Sequence, residues 1–229
     1  MLLVIFMIGE HVKSFSLASN IEISGIIFEK TRCWVISFDK CSYVSVYDLS
    51  IFSDVKNGDG VNFRSGCHHC EAYNIIGETS DNTVACSALG PLIPISYPSG
   101  NYLYPMEPTS FMDSNGACNL DIHDIKIHGI TTTGKHHGII LLTANDNSVY
   151  NVEISNFIEP SGGPERESII KLYTGYGAIS SADKIHDVDI SNIVSRNANY
   201  ALQSNTKCAN VTVSNLVQEK NIRKPAYIN

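Results

Sequence analysis

One seven-residue pattern recurs along this chain and constrains its fold more than any other feature. It reads Asn or Asp, apolar, any residue, apolar, polar, Asn or Gly, apolar. The clear copies are NIEISGI (20–26), DIKIHGI (124–130), NVEISNF (151–157), DVDISNI (187–193) and NVTVSNL (210–216), and the looser copies are YVSVYDL (43–49) and CEAYNII (70–76). Self-similarity that returns at intervals along a chain is typical of repeat architectures.

The second apolar slot of each copy marks its position in the chain. The markers are Ile23, Val46, Tyr73, Ile127, Ile154, Ile190 and Val213, which are 23, 27, 54, 27, 36 and 23 residues apart. The longest step is twice 27. Within each copy the alternation of apolar and polar residues is that of a strand with one buried face. The Asn or Gly that follows tolerates the backbone of a corner.

A second set of short apolar strands lies between the copies. Its members are CWVISF, DGVNF, NTVAC, HGIILL, SIIKLY and YALQS. Two strands in each period predict an all-β fold, a right-handed single-stranded parallel β-helix. A β-sandwich would also contain many short strands, but it does not explain why one pattern returns in register. We therefore expect the markers of the last four clear copies to stack in one inward ladder.

The chain as a whole, residues 1–229, is predicted to form a single domain. Two stretches carry no repeat: residues 89–118, which hold five of the eight prolines, and residues 159–167. The first predicts a long loop or an irregular coil. Because the pattern is already under way by residue 20, the sequence leaves open that N-terminal coils are missing and that the chain is the C-terminal part of a longer solenoid.

The N-terminal apolar run covers residues 2–8, with no Lys or Arg before it and no clear cleavage site after it. These features predict a buried first strand rather than a signal peptide, and the run is too short to span a bilayer. The formal net charge is −7, and the basic residues are scattered, which argues against a nucleic-acid partner. The sequence does not indicate an oligomeric state.

The seven cysteines are an odd number without the spacing of a disulfide framework. They are interpreted as small buried apolar residues, although one bridged pair remains open. The stretch CHHC (67–70) invites a zinc site, but zinc usually needs a second ligand pair, and none is apparent. No metal and no cofactor are predicted.

Two aspartates, Asp59 and Asp81, each precede a short apolar run and are 22 residues apart. Equivalent residues on successive coils of a solenoid are about 4.8 Å apart, so we expect both side chains in one groove, with carboxyl groups about 5–9 Å apart. Repulsion between them would raise the pKa of one. Such a pair can act as acid and base on a glycosidic bond. Asp-Gly and Asp-Asn pairs are also common at corners without any catalytic role.

Basic residues reach the same strand position on later coils. KHHGIILL brings His136 or His137 into the groove, and SIIKLY brings Lys171. Two Asp, a His and a Lys suit an anionic sugar, because cations bind the carboxylate of a uronate. Arg64 and Tyr173 are further candidates for substrate binding.

At these residues the sequence resembles the polygalacturonase family of glycoside hydrolases, whose members are right-handed parallel β-helices. The family motifs Asn-Thr-Asp, Gly-Asp-Asp, Gly-His-Gly and Arg-Ile-Lys are similar to residues 57–59, 80–82, 136–138 and 169–171. The resemblance covers roughly residues 20–216. It implies inverting hydrolysis of a uronate-containing or related polysaccharide or oligosaccharide, and a secreted or otherwise extracytoplasmic location.

The resemblance also implies a role for each matching residue. Asp81 corresponds to the general acid and Asp59 to a carboxylate that activates water. His137 corresponds to the histidine that supports the acid, and Lys171 to the lysine that grips the substrate carboxylate.

Two positions depart from the family motifs. Asn82 stands where the family has a second water-activating Asp, so it is expected to orient the water, and Asn82→Asp is expected to raise turnover. Ile169 stands where the family has a substrate-binding Arg, for which Arg64 or Arg166 could substitute.

Two other functions remain open. A polysaccharide lyase on the same fold would use Lys171 or Arg64 as its base and hold Ca²⁺ on Asp59 and Asp81. A non-catalytic carbohydrate-binding or tailspike-like β-helix would use the groove for recognition alone.

Overall fold

The structure, a computed structural model, describes residues 5–8, 13–31, 33–89, 120–176 and 179–220, with backbone only for 5–8 and 13. The strands are β1 (Ile5–Ile8), β2 (Lys13–Ser16), β3 (Ser19–Ser24), β4 (Ile26–Glu29), β5 (Ile36–Asp39), β6 (Ser42–Ser53), β7 (Val61–Arg64), β8 (His68–Thr79), β9 (Val84–Ala88), β10 (Ile122–Gly134), β11 (His137–Thr143), β12 (Val149–Ile158), β13 (Ser168–Thr174), β14 (Ile185–Ser195), β15 (Tyr200–Ser204) and β16 (Ala209–Gln218). Within these ranges no helix has the length and apolar content needed to cross a membrane.

The strands form two sheets in which every pair of neighbours is parallel. One sheet has the order β1-β4-β6-β8-β10-β12-β14-β16, with β3 also beside β6, and the other has the order β15-β13-β11-β9-β7-β5-β2. Because the chain alternates between the sheets, each coil adds one strand to each of them. The predicted all-β parallel β-helix is therefore confirmed, and the second set of apolar strands is the second sheet.

The predicted inward ladder exists in register. Ile127 pairs with Ile154, Ile154 with Ile190, and Ile190 with Val213. The three isoleucines are buried, but Val213 is 40% exposed. It lies on β16, the last described strand of its sheet, where no further described strand covers it. The expectation of full burial is wrong at this position alone.

The marker Tyr73 was placed one residue too late. Ala72, rather than Tyr73, pairs with Val46 on one side and Ile127 on the other. Tyr73 lies on the outer face, where its ring stacks on that of Tyr47 with centroids 4.7 Å apart. A shift of one residue moves every side chain of a strand to the opposite face. In the run CEAY both Ala72 and Tyr73 are apolar, so the sequence did not show which of them points inward.

The 54-residue step between markers is one coil rather than two. β8 pairs directly with β10, and β9 with β11, so no strand lies between them in either sheet. The described residues on either side of this step are Leu89 and Leu120. Apart from Leu89, the predicted loop or irregular coil at 89–118 lies outside the described residues.

Both ends of the seven-residue pattern are corners. Once the copy at 70–76 is shifted back by one residue to 69–75, the first and sixth positions of every copy have positive φ: Asn20 and Gly25, Tyr43 and Asp48, His69 and Asn74, Asp124 and Gly129, Asn151 and Asn156, Asp187 and Asn192, and Asn210 and Asn215. Asn, Asp and Gly adopt this left-handed conformation most readily. Their side chains also bond between coils: Asn210 Nδ2 donates to Asp187 Oδ1 at 2.9 Å, and Asn215 Nδ2 to Asn192 Oδ1 at 3.0 Å.

The interior between the sheets is apolar and includes most of the cysteines, as predicted. Cys41, Cys67, Cys70 and Cys86 are buried, and every cysteine in the described ranges is free. Cys118 lies outside those ranges. Because Cys67 and Cys70 are buried in the core while His69 is exposed, the four residues of CHHC do not converge on one ion. The predicted first strand is β1, whose side chains are not described.

Burial predicts which apolar positions of β12 tolerate a charge. Ile154→Asp should unfold the domain or lower its free energy of unfolding by several kcal/mol, because it buries an unpaired carboxylate. Ile158→Asp, on the same strand at a side chain 43% exposed, should change the melting temperature little. Thermal unfolding followed by circular dichroism tests both variants. An unchanged cooperative transition for Ile154→Asp would contradict the inward ladder.

Candidate functional site

The corner that leads into the second sheet carries polar residues on successive coils. In that sheet Val61 pairs with Val84, Val84 with Ile139, and His137 with Ser168. Counting back from these pairs gives two adjacent columns of stacked positions. The first column is Asp59, Asn82, His137 and Ser168, and the second column is Gly58, Asp81, His136 and Glu167.

The two predicted carboxylates meet in one pocket. Asn82 Nδ2 donates to Asp59 Oδ1 at 2.6 Å and to Asp81 Oδ1 at 2.9 Å. Because both oxygens accept a hydrogen bond from the same nitrogen, the distance between them is at most the sum of the two hydrogen-bond lengths. These oxygens therefore lie within about 5.5 Å of each other. This upper limit is compatible with the spacing of about 5–5.5 Å at which two carboxyl groups flank a glycosidic bond in retaining enzymes. The register stacks Asp59 on Asn82, with Asp81 in the neighbouring column.

Tight packing of the corner buries Asp59, which is only 4% exposed. Gly60 N donates to Asn82 O at 2.9 Å, and a Cβ atom on Gly60 would lie 2.5 Å from Thr83 O. Burial, together with the negative charge of Asp81, raises the pKa of Asp59 to about 7. Asp59 can therefore hold a proton near neutral pH.

Asn82 lies between the two aspartates. It is 9% exposed and bridges the two carboxyl groups through one amide nitrogen. An ionised aspartate at this position could donate neither bond and would place a negative charge beside Asp81. The gain in turnover expected from Asn82→Asp stays a prediction.

His136, rather than His137, contacts Asp81. His136 Nδ1 lies 2.9 Å from Asp81 Oδ1, and its Nε2 lies 3.6 Å from Glu167 Oε2. The interaction with Asp81 raises the pKa of His136, so the ring favours its cationic form there. The family resemblance implied that His137 supports Asp81, and His136 was expected to bind substrate.

His137 lies beneath the pocket and is 3% exposed. Its Nδ1 is 2.8 Å from Ser168 Oγ. Burial, followed by the charges of His136 and Lys171, lowers the pKa of His137 to about 2, so the ring is neutral. His136 immediately precedes β11 and His137 is its first residue, and the centroids of their rings are 3.9 Å apart. The motif alone did not decide which of the two contacts Asp81.

Of the candidates for substrate binding, Arg64 lines the pocket, and its guanidinium lies 4.8 Å from the ring centre of Trp34. Lys171 pairs with the pocket residue Ile140 and therefore lies one strand farther along. Its Nζ is 3.4 Å from Glu167 Oε1 and 5.5 Å from the ring centre of Tyr173. Lys171 and Tyr173 therefore lie beside the pocket and are not part of its lining.

Neither Ile169 nor Arg166 reaches the pocket. Ile169 is a fully buried core residue. Arg166 is also fully buried, with its Nε 3.7 Å from Glu159 Oε1. Of the two arginines expected to replace the family's substrate-binding Arg, the structure leaves only Arg64 in position.

Several residues at the site were not predicted from the sequence, among them Glu167, Trp34 and Tyr176. Glu167 follows from stacking on His136, a relation that becomes visible only once the register is known. Trp34 and Tyr176 line the pocket from outside the two columns. Trp34 is the single tryptophan of the chain, which is the one signal that could have drawn attention to it. The complete lining is Trp34, Asn57, Asp59, Asn62, Arg64, Asp81, Asn82, Ala85, Ser87, Leu89, His136, Ile140, Leu142 and Tyr176.

Comparison with known proteins identifies the architecture. No protein-family model and no curated protein sequence matches the chain. Among solved structures it is similar to a mutant tailspike protein of E. coli bacteriophage HK620 in complex with a hexasaccharide, with a TM-score of 0.53, 14% identity, and coverage of 91% of this chain and 37% of that one. The likeness is one of fold. A double mutant of the same tailspike, in complex with a pentasaccharide, gives a TM-score of 0.48 and 12% identity over the same shares of the two chains.

The buried carboxyl group predicts a pH-dependent effect on stability. Because the pKa of Asp59 is raised from 3.8 to about 7, its contribution to stability is fully present below about pH 4 and is lost as pH rises through 7. Asp59→Asn mimics the protonated form, so its melting temperature should exceed that of the wild type at pH 8.5 by much more than at pH 4. Asp54→Asn, at an exposed position, serves as the control. An equal effect of Asp59→Asn at both pH values would contradict the raised pKa.

Proposed function

We propose that this β-helix hydrolyses a glycosidic bond in the pocket that contains Asp59 and Asp81. The observation that carries the proposal is the pair of carboxyl groups bridged by Asn82, with oxygens within about 5.5 Å of each other. One of the two has a pKa of about 7, and the other lies beside a histidine whose pKa is raised. Environments that separate the protonation of two neighbouring carboxyl groups divide acid from base.

The electrostatics favour a division of roles opposite to the one that the family resemblance implies. Asp59 holds the proton and acts as the general acid, donating it to the glycosidic oxygen as the bond to the anomeric carbon breaks. Asp81 is the partner carboxylate, because the adjacent His136 cation stabilises its negative charge. Glu167 in turn holds His136 from its other nitrogen.

The spacing also bears on the stereochemical course. Carboxyl groups about 5–5.5 Å apart are typical of retaining glycosidases, whereas inverting enzymes leave about 6.5–9.5 Å for a water molecule. The short spacing favours a direct attack of Asp81 on the anomeric carbon. Water then releases the sugar from Asp81 and gives its proton to Asp59. The family resemblance implied inversion of configuration, whereas the short spacing favours retention.

Arg64 and Trp34 support an anionic sugar as the substrate. A guanidinium binds a carboxylate through two parallel hydrogen bonds, and an aromatic ring offers an apolar surface to a sugar ring. We propose that the substrate is a uronate-containing or related acidic polysaccharide, and that the protein acts on it outside the cytoplasm, where such polymers occur. The structural neighbours, which are tailspike proteins in complex with oligosaccharides, support a glycan without indicating which one.

Activity should depend on both carboxyl groups. A reducing-sugar assay on polygalacturonate and a panel of acidic bacterial polysaccharides should show turnover that falls by about 10²–10⁴-fold in Asp59→Asn and in Asp81→Asn. Asp54→Asn should retain full activity. Turnover should also decline as pH rises through about 7, the pKa of Asp59, because the general acid is then deprotonated.

The same assays separate the remaining functions. An unsaturated sugar detected by its ultraviolet absorbance would indicate a lyase, although Lys171 lies outside the pocket lining and is paired with Glu167. Glycan binding without turnover in the wild type would indicate a recognition module. That function has one specific observation in its favour: Asn82 stands where the family has its second water-activating Asp. Either outcome would overturn hydrolysis.

The anomeric configuration of the first product tests the attack by Asp81. Proton NMR during the first minutes of digestion should show the product sugar with the same configuration as the cleaved linkage. The opposite configuration would show that a water molecule attacks directly, and that Asp81 acts as a base rather than as a nucleophile. This result would leave the acid role of Asp59 intact, so it is separable from failure of the proposed function.

A further inference from the structure

A second cluster of titratable side chains lies outside the pocket, on the outer surface of the first sheet. It consists of His69 on β8 and of His123 and Asp124 on the adjacent strand β10. The potential ligand atoms of these three residues all lie within 4.8 Å of one another. Asp124 Oδ2 is 2.7 Å from His123 Nδ1 and 3.6 Å from His69 Nε2.

The backbone holds the three side chains together. His69 and Asp124 occupy equivalent corners of successive coils, with φ values of 54° and 55°. His123 precedes Asp124 and pairs across the strands with His68. The donors therefore come from two neighbouring coils at a fixed register, rather than from mobile loops.

Neighbouring groups orient each donor from behind. His69 Nδ1 lies 2.9 Å from His68 Nδ1, which leaves Nε2 of His69 directed at Asp124. Asn151 Nδ2 donates to Asp124 Oδ1, which leaves Oδ2 available. The His123 ring is stacked between His68 and Tyr150, at centroid distances of 5.0 Å on each side. Such supporting contacts to the second atom of a ligand are typical of metal sites, where they fix the tautomer and the ring orientation.

We propose that His69, His123 and Asp124 form a surface site for a divalent transition-metal ion, with Zn²⁺ as the best match. Two imidazole nitrogens and one carboxylate oxygen are ligands that zinc accepts, whereas Ca²⁺ and Mg²⁺ prefer oxygen ligands alone. Ligands at about 2.0–2.2 Å from one ion are at most about 4.4 Å apart. The 2.7 and 3.6 Å contacts of Asp124 fall within that limit, and the donor atoms of His69 and His123 lie within 4.8 Å of each other, so at most a small shift would bring all three onto one ion. The ion would replace these two contacts and keep one position for water.

The site would join two coils at a particular place in the fold. β8 and β10 pair directly, although Leu89 and Leu120 lie between them in the sequence. An ion bound only by the folded protein adds to its stability in proportion to the logarithm of the ion concentration. The proposed ion would therefore stabilise the pairing of these two strands. This inference does not depend on the proposed hydrolysis.

The test uses the full chain, freed of metal and titrated with Zn²⁺ alone by calorimetry and by thermal unfolding. The wild type should bind one equivalent and melt at a higher temperature with zinc. His69→Asn and Asp124→Asn should each lower the affinity at least about tenfold and lose the zinc-dependent rise. His128→Asn, which changes another histidine on the outer face of β10, where it contacts Glu71, should bind zinc like the wild type.

Melting of each variant without zinc shows whether it is folded, so a loss of affinity can be assigned to the ligand set. His136→Asn checks the pocket cluster of His136, His137 and Glu167, whose donor atoms also lie close together. Zinc binding that survives in His69→Asn and Asp124→Asn but disappears in His136→Asn would overturn the proposal. So would the absence of any zinc binding in the wild type.

Discussion

Hydrogen bonding between parallel strands of successive coils is the interaction on which the rest of this structure depends. It fixes one register, so residues that share a slot in the repeat stack directly on one another. Apolar slots such as those of Ile127, Ile154 and Ile190 become a continuous core. Polar slots at corners become columns on the surface. The same rule that builds the interior therefore also builds the candidate site and the proposed zinc cluster.

Stacking concentrates charge at the pocket, and the surrounding packing supports it. Behind the corner the buried Arg166 lies against Glu159, whose Oε2 accepts backbone N–H groups of residues 196, 197 and 198 at 2.8, 2.7 and 3.0 Å. A Cβ atom on Gly138, the residue after His137, would lie 2.8 Å from Arg166 Nη1. A buried ion pair therefore lies directly behind the corner that carries the site.

The sequence predicted the solenoid because its periodicity is a property of local residue order. Each corner needs a residue that tolerates positive φ, and each strand needs alternating apolar and polar residues. Both features can be recognised in the copies of the repeat. The slip at Tyr73 arose where Cys70, Ala72 and Tyr73 are all apolar enough to fit either alternation. The 54-residue step between markers was harder to interpret, because its length matches two coils of 27 residues.

The site was predictable only in part, for a related reason. Asp59 and Asp81 could be placed in one pocket from their spacing, since a difference of one residue between columns still leaves them adjacent. The choice between His136 and His137 depends on that same single residue, and spacing does not resolve it. Glu167 and Trp34 belong to the site through contacts between coils, and no local sequence pattern predicts such contacts.

The central claim is that Asp59 is a buried acid whose protonation is set by burial and by its neighbour Asp81. Carbon-13 NMR of aspartate-labelled protein, with Asp59 assigned by its absence in Asp59→Asn, measures this directly. The account predicts a carboxyl group that titrates with a pKa of about 7 and at a lower pKa in Asp81→Asn, where the neighbouring charge is removed. A group that titrates near its ordinary value of 3.8, with or without the charge at Asp81, would contradict it.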